Sequence, residues 1–109
     1  MAEAYDVAVA PHCPLGPLAL ASCIQLAACT HNVVLQEMSL GIHYNVGADL
    51  FTYLRDPSQL TPVDGYLHIP TGPGLGVEVD EAKIRAEAAN PHRWRNPLWQ
   101  VADGSFAEW

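Results

Sequence analysis

The apolar positions in the first third of the chain run in blocks rather than alternating. Tyr5-Asp-Val-Ala-Val-Ala10 predicts a short strand that Pro11 stops, and Val33-Val-Leu-Gln36 predicts a second, β-branched and continuous one. Continuous apolar strands belong to parallel sheets covered on both faces. Pro11, Pro14 and Pro17 punctuate a loop between them, and Pro17 stands where a helix can begin, because a first-turn residue needs no N–H partner. Leu18 to Cys29 then predicts a helix that is apolar nearly all round, with only Ser22 and Gln25 polar, so it should be buried on more than one side. Thr30-His31-Asn32 breaks it. This strand–helix–strand order predicts an α/β unit with two parallel strands, a right-handed crossover and both carboxyl ends at one edge.

Later segments are more ordinary. Ala48 to Asp56 predicts a short amphipathic helix with Leu50, Phe51 and Leu54 on one face, ended by Pro57. Gly65 to Pro70 is a strand candidate, followed by a turn at Thr71-Gly-Pro-Gly-Leu-Gly76. That turn lacks the Gly-x-Gly-x-x-Gly spacing of a phosphate loop, and no Lys-Ser/Thr follows it. Asp80 caps a helix running to about Ala89, which Asn90-Pro91 closes. The tail from His92 to Trp109 is aromatic and irregular, carrying Trp94, Trp99, Phe106 and Trp109.

Charge changes this picture. The 109 residues include 5 Lys+Arg and 12 Asp+Glu, for a formal net charge of −7. Before Asp49 only Glu3, Asp6 and Glu37 are charged, and the first basic residue is Arg55. An independent domain coats its surface with charge, typically about a quarter of its residues. The segment up to Ala48 cannot, so it reads as interior of a larger body or an assembly. An acidic chain without a Lys/Arg cluster is a poor partner for nucleic acid or an anionic membrane. Leu15 to Leu35 is too interrupted by polar residues for a spanning helix, and the N-terminus lacks the basic opening of a signal peptide. Cys13, Cys23 and Cys29, an odd number in an apolar setting, point to reduced thiols and a cytoplasmic location.

The predicted parallel unit gives two titratable residues a shared rim. His12 lies just beyond the first strand and Glu37 ends the second, at the edge where α/β sheets and barrels place their chemistry. Histidine suits proton abstraction near neutral pH, and a nearby carboxyl group could orient a substrate or hydrogen-bond an oxyanion. The bland alternative is a satisfied histidine in a proline loop beside an unrelated carboxylate. His43 follows Glu37 by six residues and could share the rim. A Cys13–His12 nucleophile is disfavoured, because adjacent residues on an extended segment point apart. A zinc site from Cys13, Cys23, Cys29, His31 and His43 lacks any Cys-x-x-Cys or His-Glu-x-x-His spacing.

Ala8-Val-Ala-Pro-His-Cys-Pro-Leu-Gly-Pro17, Gln36-Glu-Met-Ser-Leu-Gly-Ile-His-Tyr-Asn45, Gly72-Pro-Gly-Leu-Gly-Val-Glu-Val-Asp80, Trp94-Arg-Asn-Pro-Leu-Trp99 and Asp103-Gly-Ser-Phe-Ala-Glu-Trp109 carry a resemblance. In order and across essentially the whole chain, they resemble the C-terminal part of the galactonate dehydratases. These acid-sugar dehydratases belong to the mandelate racemase/muconate lactonizing enzyme branch of the enolase superfamily.

The resemblance implies the C-terminal portion of a modified TIM (β/α)7β barrel. Residues 1–45 would supply its last two strands and the helix between them. Residues 46–109 would form an extension beside the barrel and a capping domain. It also implies a lyase reaction in carbohydrate catabolism that converts D-galactonate to 2-dehydro-3-deoxy-D-galactonate. His12 matches the family's proton-abstracting histidine and Glu37 the glutamate that stabilises the enediolate, with His43 a candidate substrate contact. Mg²⁺ is the implied cofactor, but the family's acidic ligands, its acid histidine and the aspartate that orients the base all precede the matched region. The expectation is therefore a fragment, inactive alone, whose partners are a sugar acid, the missing N-terminal portion and, at full length, further copies of itself. The alternative is a non-catalytic interaction module derived from a barrel remnant.

Overall fold

The computed structural model describes residues 1–40, 50–90 and 100–105. Helix α1 runs Pro17–Ala28 behind an extended Gly16, with proline in its first turn as the sequence predicts. It has no side-chain N-cap and no charged residue at either end, so little in its own sequence holds it beyond packing. Pro17, Leu20, Ala21 and Ile24 are buried, the i, i+3, i+4, i+7 stripe of a single helix face. Leu18 and Leu26, off that stripe, are exposed. The expected burial on more than one side is thus corrected: one stripe is covered and the opposite apolar face meets solvent.

The core lies on this stripe, where Leu20 and Ile24 meet Cys13, Phe51, Leu54 and Leu60. Cys23, Met38, Leu67, Val77 and Val79 pack around it. Gln25 reaches across to the later segment, its Nε2 donating to Pro70 O at 2.9 Å and Leu75 O at 3.4 Å. Those bonds pin the predicted turn, in which Gly76 adopts φ +76°.

The two predicted strands do not form. Glu3–Tyr5 is a 3₁₀ turn closed by Asp6 at φ 54°, and a single parallel bridge, Val9 to Val33, joins the two segments. The parallel direction is as expected, but the ladder is one bridge long. Pro11 offers no N–H to extend it, and a lone pair of parallel segments lacks the neighbours that stabilise a sheet. Leu15, Val34 and Leu35 are 61%, 65% and 61% exposed, so apolar surface flanks this unit uncovered.

Two further expectations are revised. Among the described residues of the predicted helix over 48–56, Leu50–Tyr53 is a 3₁₀ turn. Asp56, rather than ending that element, caps a second turn at Pro57–Leu60 through Ser58 N–H. Between the two turns Leu54 bridges Val79 in antiparallel fashion. The strand expected over Gly65 to Pro70 does not form: residues 67–70 are irregular, and Val63 bridges Tyr66 around Asp64 and Gly65 at φ 51° and 81°. Two successive positive φ values make this the Asp-Gly turn that hairpins favour. Helix α2, Glu81–Ala88, matches prediction, with the Asp80 side chain accepting from Lys83 N–H at 3.0 Å. In the tail, Val101 to Ser105 is a turn in which Asp103 accepts from the Ser105 N–H and hydroxyl. That pair of bonds holds the Asp103 carboxyl below its ordinary value. Trp94, Trp99, Phe106 and Trp109 lie outside the described residues.

Candidate active site

Side-chain amides do much of the work that backbone pairing would do in a longer ladder. Val9 N–H donates to Asn32 O at 2.9 Å and Val34 N–H to Val9 O at 3.1 Å. On either side of that bridge, Asn32 Nδ2 donates to Val7 O at 2.8 Å and Gln36 Nε2 to Pro11 O at 3.1 Å. Four bonds therefore keep residues 7–11 alongside 32–36 despite the proline. The next residue on each segment is His12 on one and Glu37 on the other.

These two side chains meet. His12 Nδ1 lies 2.5 Å from Glu37 Oε2, and the same oxygen accepts the Cys13 N–H at 2.9 Å. The His12 side chain is 80% exposed and that of Glu37 45%, so the pair sits on an open rim. A contact so exposed contributes little to stability, roughly 0–1 kcal/mol even where both groups are charged. Its significance is geometric. Cys13 itself is 1% exposed, with its side chain in the core, so its backbone is a fixed donor for the carboxyl group.

That burial also decides the thiol chemistry. Burial pushes the Cys13 thiol above its ordinary value of 9.0; the Leu15 backbone bond offsets this in part, while neighbouring Cys23 and Glu37 reinforce it. A buried thiol held neutral is no nucleophile, and the imidazole beside it in sequence is engaged with Glu37. Cys23 is half-buried and Cys29 exposed at the end of α1, while His31 Nε2 faces Glu3 Oε1 at 3.4 Å. Cys13 and Cys23 are neighbours, but among the described residues no three members of the suggested zinc set come together. His43 lies outside the described residues.

The same geometry offers no ligand set for the Mg²⁺ that the resemblance implies. Among the described residues no group of three or more His, Cys, Asp or Glu could hold a metal ion. The rim carboxylate, Glu37, is occupied by a histidine and a backbone amide. These residues do not fit a magnesium centre. A separate cleft of about 510 Å³, lined by Pro17, Leu18, Tyr53, Val79, Ile84 and Ala88 among others, contains neither His12 nor Glu37. No helix among the described residues is long and apolar enough to cross a membrane.

Sequence reasoning missed three contributors: the Cys13 N–H, and the amides of Asn32 and Gln36. The first is a backbone group that no residue type advertises. The other two follow a proline-broken strand, where side-chain amides are the available substitutes for ladder bonds.

Comparison with known proteins places these residues in context. The family described as enolase C-terminal domain-like matches residues 1–83. A D-galactonate dehydratase from Variovorax paradoxus (strain S110) is 57% identical over all 109 residues, which cover 28% of that protein. D-galactonate dehydratases from Xanthomonas euvesicatoria pv. vesicatoria (strain 85-10) and Xanthomonas oryzae pv. oryzae (strain PXO99A) are 55% and 54% identical, again over the whole chain and 28% of their own length.

Proposed function

The chain belongs to the enolase C-terminal domain-like family, and from that premise we propose that it carries the base-bearing part of a D-galactonate dehydratase site. The observation that supports this reading is the meeting of His12 and Glu37 at the adjoining ends of two parallel segments. In the proposed barrel, residues 1–45 supply the last two strands and their helix, and residues 46–109 pack beside the barrel and the capping domain. The chain spans 28% of the length of the relatives it matches. In this reading the remaining groups of the site come from outside the matched region.

In this reading His12 Nε2 removes the proton from the carbon next to the D-galactonate carboxylate. The C–H electron pair moves into the carboxylate as an enediolate. Glu37, when protonated, donates a hydrogen bond to that developing charge. Such donors act where charge appears only as the reaction proceeds. The 3-hydroxyl then leaves with a proton from an acid outside this chain, and the enol ketonises to 2-dehydro-3-deoxy-D-galactonate. Water is the only other product, so atoms and electrons balance without an oxidant. Mg²⁺, where the enzyme uses it, is held by groups outside the described residues. A cytoplasmic, homo-oligomeric enzyme fits three free cysteines and the exposed apolar surface beside α1.

The experiment pairs this chain with the upstream portion of the Variovorax relative, co-expressed, and assays D-galactonate with Mg²⁺ for keto-acid formation. The chain alone is expected to be inactive, and the pair active. His12→Ala should lower turnover of the pair by about 10²–10⁴-fold, the usual worth of a general base. Keto-acid formation by the chain alone would overturn the need for other segments, and normal turnover by His12→Ala would remove His12 from the reaction.

A further inference from the structure

Toward the rim, the two parallel segments lose their backbone pairing. Among the described residues, Val34 N–H to Val9 O is the last backbone bond between them, and Pro11 has no N–H to continue the ladder. One side chain closes the gap. Gln36 Nε2 donates to Pro11 O at 3.1 Å and to Glu37 O at 2.8 Å, so both of its hydrogens are used. These carbonyls belong to the residue before His12 and to Glu37 itself. A single planar nitrogen thus spans the segments where the two candidate groups emerge.

The other end of the amide shows that its donors are what matter. Gln36 Oε1 is shielded from solvent and has no hydrogen-bond partner among the described residues. A buried acceptor without a donor carries a cost that an apolar side chain of equal length, such as Met, would avoid. Turning the amide over would set its oxygen against two carbonyls, so the two bonds fix its orientation. Asn32 makes one bond of the same kind, to Val7 O at 2.8 Å, but on the side of the bridge away from the rim.

We propose that Gln36 is a positioning residue: its Nε2, by tying Pro11 O to Glu37 O, sets the separation of His12 from Glu37. This rests on the reading of His12 as base and Glu37 as enediolate stabiliser. Both tasks stay with those residues, and the orientation of the imidazole stays with groups outside this chain. The amide acts on the backbone beneath them. Proton removal and charge stabilisation fall on neighbouring atoms of one substrate, so the distance between the two groups must be held.

Hydrogen exchange in the 109-residue chain reads this clamp without substrate. The Gln36 side-chain hydrogens should exchange at least about tenfold more slowly than those of glutamine in an unstructured peptide, and exchange at the free rate would overturn the proposal. That measurement needs no substitution, so it decides even if a variant does not fold. Gln36→Met keeps the length and removes the donors. It should speed exchange of the Cys13 N–H, which is bonded to Glu37 Oε2, by about tenfold while leaving the Leu20 N–H as it was. Asn32→Leu should leave Cys13 unchanged. No effect of Gln36→Met at Cys13, or an equal effect of Asn32→Leu, would also overturn the proposal. In the enzyme reassembled with the Variovorax upstream portion, Gln36→Met should lower kcat by about 10–10²-fold with KM within about twofold. An unaltered kcat would remove Gln36 from the reaction. A pair that is inactive with Gln36 in place would sink the dehydratase reading instead, and the exchange measurements would still decide the clamp.

Discussion

The two α-helices among the described residues exist for opposite reasons. Helix α1 carries four buried residues, no side-chain cap and no charged residue in its terminal turns. Helix α2 buries none of its residues, but Asp80 caps it, Glu81 sits at its positive end, and Arg85 pairs with Glu81 four residues back. One is held by what lies against it and the other by its own sequence. The candidate site residues cluster with the first kind. His12 and Glu37 flank α1 and inherit their placement from its packing through Cys13, whereas α2 carries none of the candidate chemistry.

Substitutions should separate the two modes. Leu20→Ala removes a core side chain that is 1% exposed and should cost about 2–5 kcal/mol in denaturant unfolding. An equal loss from Ile84→Ala, half-buried in α2, would break the contrast. Gly76→Ala comes next. A Cβ there would lie 2.5 Å from Pro70 Cβ at φ +76°, loosening the turn that Gln25 of α1 pins, at roughly 1–3 kcal/mol. Gly74→Ala, at φ +66° with open space around it, should cost less, and parity between the two would show that the Pro70 contact is immaterial. Asp80→Ala should remove about 1 kcal/mol from α2, seen as faster amide exchange there with α1 unchanged. Glu81→Gln should cost no more than about 0.5 kcal/mol, and that difference should vanish in high salt.

Smallest at neutral pH is the contribution of the Cys13 thiol. Its folded value is raised by burial, so the stability it lends is fully present below the ordinary 9.0. Above that the unfolded chain releases the proton first, and stability falls as pH rises toward the folded value. Cys13→Ala should flatten this part of the urea-midpoint profile between about pH 8 and pH 10. A slope that survives the substitution would assign it to other groups.

Much of this was legible along the chain. Pro17 and the apolar run behind it placed α1 within one residue at each end, Asp80 placed α2, and the glycines at 72–76 marked a turn. Those signals are local: a fixed φ, a cap, a glycine where φ must be positive. The strands were legible as composition but not as structure, because a ladder needs N–H groups on both sides and neighbours beyond. Here Pro11 withholds one and Val34 and Leu35 stand exposed. The 48–56 region failed for a related reason: Leu54 bridges Val79, a partner 25 residues away that no helical periodicity records.

By itself the sequence determined which residue types stand at the ends of the two parallel segments, and that the first part is apolar and poor in charge. Its match over 1–83 determined the family. Only the tertiary structure decided that His12 turns its Nδ1 to Glu37, and that the Cys13 amide holds the same carboxyl oxygen. These contacts span 25 and 24 residues, and the second involves a backbone donor common to every residue but proline. Residue identity therefore carries no trace of them; they follow from where the core places Cys13 once α1 has packed.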